Sequence, residues 1–146
     1  MKHMDIEFTK EQYENLLKLV YLGDWLVNSF RTERVSEFED LENHLYSFAK
    51  DSGLGRLVVF DEDTKTHLPA DSLEETVTHY IEAYDEDKFW DELCHSLGQR
   101  DFIRHYGQAA IRKMKLEEMF QKEAGFINKY AEEFEKHGLK NLEIVP

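Results

Sequence analysis

Apolar residues recur at steps of three and four along almost the whole chain, and only residues 54–70 break that rhythm. An α-helix turns through 3.6 residues, so such steps gather bulky side chains on one face and commit the chain to helical packing. Two prolines in 146 residues leave few places where a helix must stop. The expected fold is all-α, one domain over residues 1–146 built as a bundle of five or six helices. With 41% apolar composition, including ten Phe, seven Tyr and two Trp, the chain has the material for a core.

The punctuation is explicit. Thr9 and Gln12 form a capping-box pattern that opens a first helix running to about Arg31, apolar nearly all round and so suited to a central position or an oligomer interface. Ser36 and Glu39 repeat the pattern for a second helix, whose Phe38, Leu41, Leu45 and Phe48 read as its buried face. Gly53 stops it, and Leu54 stands where a Schellman ending places an apolar contact. Residues 54–70 are an irregular connection, within which 56–60 can form a short strand pairing with 141–145. A third helix starts at Asp71 or Ser72 and buries Leu73, Val77, Tyr80, Ile81 and Tyr84.

The stretch from Tyr84 to Gly107 reads as two helices and a corner. Asp85 caps the first, with Phe89, Leu93 and Leu97 in line, and Gly98 stops it; Asp101 caps a second, short helix that ends at Gly107. A last long helix carries Leu116, Met119, Phe120, Ile127, Tyr130, Ala131 and Phe134, and Gly138 ends it.

Charge narrows the function classes. Residues 1–70 carry 8 basic and 14 acidic groups, residues 71–146 carry 10 and 17, and the total is −13. A field of that sign repels phosphate, so neither direct nucleic-acid binding nor an anionic membrane surface is expected. No apolar run approaches the 18 residues of a membrane span, and MKHMDIEF lacks the apolar core of a signal peptide. The lone Cys94 excludes an intramolecular disulfide, and a reducing cytoplasm is the expected location.

Glu92 and His95 share a helical face at the spacing of carboxylate-bridged di-iron bundles, and are the candidate ligands for a divalent metal. A complete site needs a second Glu-x-x-His, which the sequence lacks, so no cofactor is expected. Glu75 with His79, Glu133 with His137 and Asp101 with His105 offer further carboxylate–imidazole pairs at helical spacing. Asp61-Glu62-Asp63 begins like a calcium loop, but Thr66 stands where glycine is needed and Ser72 where a bidentate glutamate is needed, so it reads as a solvated turn. Cys94 reads as a small buried apolar residue, because its neighbour His95 points about 100° away around the helix. The corner at Gly98, followed by Arg100, Arg104, Arg112, Lys113 and Lys115, invites comparison with a helix-turn-helix, against the negative field of the rest.

Tyr84-Asp85, Phe89-Trp90-Asp91-Glu92-Leu93, Arg100-Asp101-Phe102, Tyr106-Gly107, Lys129-Tyr130, Glu133-Phe134-Glu135 and Gly138-Leu139 together resemble a group of small bacterial cytosolic proteins of unknown function. The resemblance implies a one-domain helical protein and carries no activity with it. The expected function is a non-enzymatic acidic module that binds another protein or a second copy of itself, through the outward face carrying Asp91, Glu92 and His95. A metal-dependent enzyme using Glu92 and His95, and an acidic mimic of nucleic acid that occupies a DNA-binding protein, are the two other readings.

Overall fold

A computed structural model describes residues 5–143. The order of elements is α1 (Lys10–Asn28), α2 (Ser36–Ser47), a 3₁₀ turn (Gly55–Leu57), β1 (Val58–Asp61), β2 (Thr66–Pro69), α3 (Asp71–Tyr106), α4 (Gln108–Ile111) and α5 (Leu116–His137). The all-α class with a small β pairing is as expected. Its contacts gather into two compact units, residues 1–82 and 83–146. No helix among the described residues is long and apolar enough to cross a membrane.

In residues 1–82, α1 opens on the predicted box: the Gln12 amide donates to Thr9 Oγ1 at 3.2 Å, and the Thr9 amide donates to Gln12 Oε1 at 2.9 Å. Helix α2 lies antiparallel to α1, since the contacts join the start of each to the end of the other. Tyr13 donates to the Leu45 carbonyl at 2.5 Å, while Asn28 accepts from the Val35 amide at 2.9 Å. After α2 the chain closes in the Schellman pattern, Leu54 N–H to Ala49 O at 2.8 Å and Gly53 N–H to Lys50 O at 3.1 Å, with Gly53 at φ +70° and Leu54 buried. Leu17, Leu57 and Leu73 are wholly buried at the centre of this unit, with Tyr13, Tyr46, Ala49 and Leu54 around them.

Two expectations change here. The second capping box does not form: Val35 is the N-cap, and Glu39 pairs with Arg34 at 2.5 Å. The face of α2 is also rotated, since Glu42, Tyr46 and Ala49 point inward while Phe38, Leu41 and Phe48 are about half exposed. The expected short strand pairing is present, with a different partner. β1 pairs antiparallel with β2, from Val58↔Pro69 to Asp61↔Thr66, in place of residues 141–145, of which 144 and 145 lie outside the described residues. The intervening loop is closed by Asp61, whose carboxylate accepts from the Asp63 amide at 2.9 Å and from Thr64 Oγ1 at 2.7 Å, with Lys65 at φ +58°. Those donors hold the Asp61 carboxyl below its ordinary range. The Asn43 side chain fastens the hairpin to α2 by accepting from the His67 amide at 2.8 Å.

The predicted corner at Gly98 is absent. Helix α3 runs for 36 residues from Asp71 to Tyr106, and neither Asp85 nor Asp101 is a cap. Gly98 is needed for a different reason. A Cβ built there would stand 2.6 Å from Ile127 Cγ1, 2.8 Å from Ile127 Cα and 2.9 Å from Ile127 N, so the missing side chain lets the α5 backbone come close to α3. A continuous helix also removes the geometry on which the helix-turn-helix comparison rested. The helix ends instead at Gly107, φ +73°, whose amide donates to Ile103 O at 2.9 Å.

Within residues 83–146, α5 runs antiparallel to α3. Trp90 faces Phe134 with ring centroids 5.7 Å apart, Gly98 faces Ile127, and Phe102 meets Phe126 at 6.0 Å. Asp101 accepts from the Tyr130 hydroxyl on α5 and from Arg100 Nε at 2.9 Å, while Arg100 Nη2 donates to Tyr130 Oη at 3.0 Å. This triad carries the Asp101 carboxyl downward and the Tyr130 hydroxyl upward in pKa, Arg100 being the main cause for the first and burial for the second. Gly138 follows α5 at φ +57° and donates to Phe134 O at 2.9 Å, as the sequence suggests.

Candidate binding groove

On one side of the Gly98–Ile127 approach, α3 and α5 leave an open groove of about 880 Å³. It is lined from α3 by Ala83, Glu86, Asp87, Trp90, Asp91, Cys94 and His95, and from α5 by Ile127, Asn128, Ala131, Phe134 and Glu135. The helical repeat produces this division directly. Glu86, Trp90 and Cys94 are four apart, as are Asp87, Asp91 and His95, so the first row supplies apolar bulk at Trp90 and Cys94 behind the Glu86 carboxylate, and its neighbour supplies charge. On α5, Ile127, Ala131 and Phe134 recur at four and three and complete an apolar floor. Ala131 keeps that floor low between two large residues.

The rim is acidic. Glu86, Asp87, Asp91 and Glu135 contribute four carboxylates, and no lysine or arginine is among the lining residues. Among the described residues, Glu86, Asp87 and Glu135 have no cationic group within 4.0 Å, while Asp91 Oδ2 has Lys88 Nζ at 3.5 Å. His95 turns toward Asp91: its Nδ1 lies 2.9 Å from the Asp91 carbonyl oxygen and 3.2 Å from Oδ1. Cys94 is buried, and burial together with the Asp91 carboxylate pushes its thiol pKa up. Its buried side chain forms part of the groove floor.

Of the three residues singled out for interaction, Asp91 and His95 line the groove and Glu92 does not. Among the described residues, no group of three or more His, Cys, Asp and Glu side chains is placed to hold a metal ion. The other carboxylate–imidazole pairs are otherwise engaged. His79 stacks on Tyr80 at 3.8 Å, His105 packs on Tyr106 and Phe126, and Glu133 accepts from Asn141 at 2.5 Å. The residues that sequence reasoning missed are Glu86, Asp87, Trp90 and the α5 floor. The signal for the first three is present in their four-residue spacing to Asp91 and Cys94, but a helix capped at Asp85 would place Glu86 and Asp87 in its first turn, where acids have an ordinary role against the helix dipole.

Comparison with protein-family models, with curated proteins and with solved structures returns no match to this chain. Its functional reading therefore rests on the residues and their geometry.

Proposed function

We propose that the unit formed by residues 83–146 binds a basic amphipathic helical segment of a partner protein, and that this is a non-enzymatic docking role. One observation carries the reading: an open groove with an apolar floor whose rim holds four carboxylates and no lysine or arginine. A helix that lies in a groove presents apolar anchors at i, i+3, i+4 and i+7, and its flanking positions meet the rim. Lysines or arginines there would face Glu86, Asp87 and Glu135, which lack cationic partners among the described residues. Apolar burial on Trp90, Ile127 and Phe134 would supply most of the affinity, and the rim would supply encounter rate and selection against acidic segments.

The test is a calorimetric titration with a synthetic helical peptide bearing a leucine face flanked by lysines. Saturable one-to-one binding that weakens with rising salt is the expected result, and Glu86→Lys with Asp87→Lys and Glu135→Lys should abolish it. Equal binding of a peptide with glutamates in place of the lysines would refute the charge argument. A sedimentation profile in which those reversals split a dimer would assign the groove to a second copy of the chain and overturn the proposal.

A further inference from the structure

We infer that the free edge of β1 pairs antiparallel with the same edge of a second copy of the chain, so that two hairpins join into one sheet in the order β2, β1, β1, β2. The ladder inside the hairpin shows which groups are free. The Ala70 amide donates to Leu57 O at 3.0 Å, and in the register Val58↔Pro69 to Asp61↔Thr66 this makes Val59 with Leu68 and Asp61 with Thr66 the hydrogen-bonded pairs. The alternation agrees with Pro69, which has no N–H, and with His67, whose amide turns away to Asn43 at 2.8 Å. The N–H and C=O of Val58 and Phe60 therefore point away from β2, and they have no backbone partner elsewhere among the described residues.

Such an edge is a template for another strand unless the chain blunts it with lysine, proline or a bulge. Val58-Val59-Phe60 carries none of these, and Val59, Phe60 and Leu68 are 53%, 43% and 44% exposed. The edge is also held in place before any partner arrives, by the wholly buried Leu57 at its start, by Ser72 Oγ donating to Arg56 O at 2.6 Å, and by Asn43 on β2.

The occupant is a second copy because the edge is complementary to itself about Val59. A two-fold axis there sets Val58 opposite Phe60 of the second copy, and each N–H of that pair meets the other's C=O, twice over. The same axis sets Val59 against its own counterpart at the closer, non-hydrogen-bonded spacing, which completes an apolar row of Leu68, Val59, Val59 and Leu68 across the joined sheet. Beyond the paired residues it brings Arg56 alongside Glu62 of the second copy, and both side chains are well exposed. The chain's overall charge of −13 opposes self-association, but residues 55–69 carry two basic and three acidic groups and are nearly balanced. Four-residue strands bury little area, so the dimer belongs to the weak class.

Sedimentation of the full chain in physiological salt, from micromolar to millimolar concentration, is the test, and a reversible monomer–dimer equilibrium is the expected result. Val59→Lys places like charges face to face at a solvent-facing position, and should weaken the dimer by more than about tenfold while the melting curve at micromolar concentration stays in place. Arg56→Glu should weaken it several-fold, and Glu62→Arg added to that variant should restore it. Register is read by cross-linking in a Cys94→Ala chain. Val59→Cys should form an intermolecular disulfide with oxidised glutathione, since its Cα and the second copy's stand about 4.5 Å apart, whereas Leu68→Cys, about 14 Å from its counterpart, should not. A chain that stays monomeric to millimolar concentration, a dimer that survives Val59→Lys, no restoration by the charge swap, or equal cross-linking at Leu68 would each overturn the inference. The charge reversals at Glu86, Asp87 and Glu135 should leave this dimer intact, and Val59→Lys should leave peptide binding in the groove unchanged, so the two proposals succeed or fail separately.

Discussion

Replacing Gly98 with alanine puts two effects in opposition within one helix. Alanine is the better helix former, which favours the variant by about 1 kcal/mol. The new Cβ, however, would lie 2.6 to 2.9 Å from three atoms of Ile127, two of them backbone, and backbone cannot swing aside as a side-chain tip can. Overpacking of this kind costs about 1–3 kcal/mol, and the backbone contacts place it at the top of that range. The net expectation is a loss of about 2 kcal/mol, or roughly 6 °C in melting temperature for a chain of this length. Gly125, inside α5, is the internal control: a Cβ there meets nothing within 4 Å, so Gly125→Ala should stabilise by about 0.8 kcal/mol. Thermal and denaturant melts of both variants supply the comparison. If Gly98→Ala stabilised as Gly125→Ala does, α3 and α5 would not approach at Gly98, and the groove that Ile127 lines would lose its geometry.

Other expectations follow from single residues. Leu57→Ala should cost about 3 kcal/mol, because its side chain is wholly buried beside Leu17, whereas Leu41→Ala should stay within about 0.5 kcal/mol. Equal costs would show that α2 turns its Phe38–Leu41 face inward after all. Burial, with Asp24 and Glu39 adding repulsion against the help of Arg34 and Tyr46, raises the Glu42 pKa in the fold. The folded state then holds its proton to higher pH than the unfolded chain, so this group's contribution falls as pH rises from the unfolded value toward the folded one. Glu42→Gln should flatten that decline and stabilise the chain at neutral pH; a steeper decline in urea melts across pH would contradict the assignment. Cys94 should react slowly with a thiol reagent in the native chain and quickly in guanidinium, and rapid native labelling would place its sulfur outside the groove floor.

The sequence was most legible where the physics is local. Thr9 with Gln12, and Gly53 with Leu54, need only their own backbone to form the predicted caps, and both are present. Gly98 could not be read in that way. A glycine after an apolar helical run serves equally as a stop or as a place where another helix comes close, and Ile127, 29 residues on, decides between them. The inward face of α2 was hidden for a similar reason. Phe38, Leu41, Leu45 and Phe48 are the more apolar stripe, yet Tyr46 and Ala49 fill the core, and Arg34 makes the accompanying Glu42 tolerable from a different segment. β2 is four residues long with a proline at its end, too little pattern to register beside β1. At the groove, Asp91 and His95 were legible as an outward face, whereas the floor from α5 depends on a pairing of helices that no local pattern encodes.

The central claim is that the α3–α5 groove receives a basic amphipathic helix, and Trp90 on its floor can report on it directly. In a Trp25→Phe chain, Trp90 is the single indole, and its emission can be followed while the leucine–lysine peptide is added. A saturable blue shift that weakens with salt and disappears in the Glu86, Asp87 and Glu135 reversal is the predicted result. Emission that stays constant to millimolar peptide, or that shifts equally with the acidic peptide, would contradict the account.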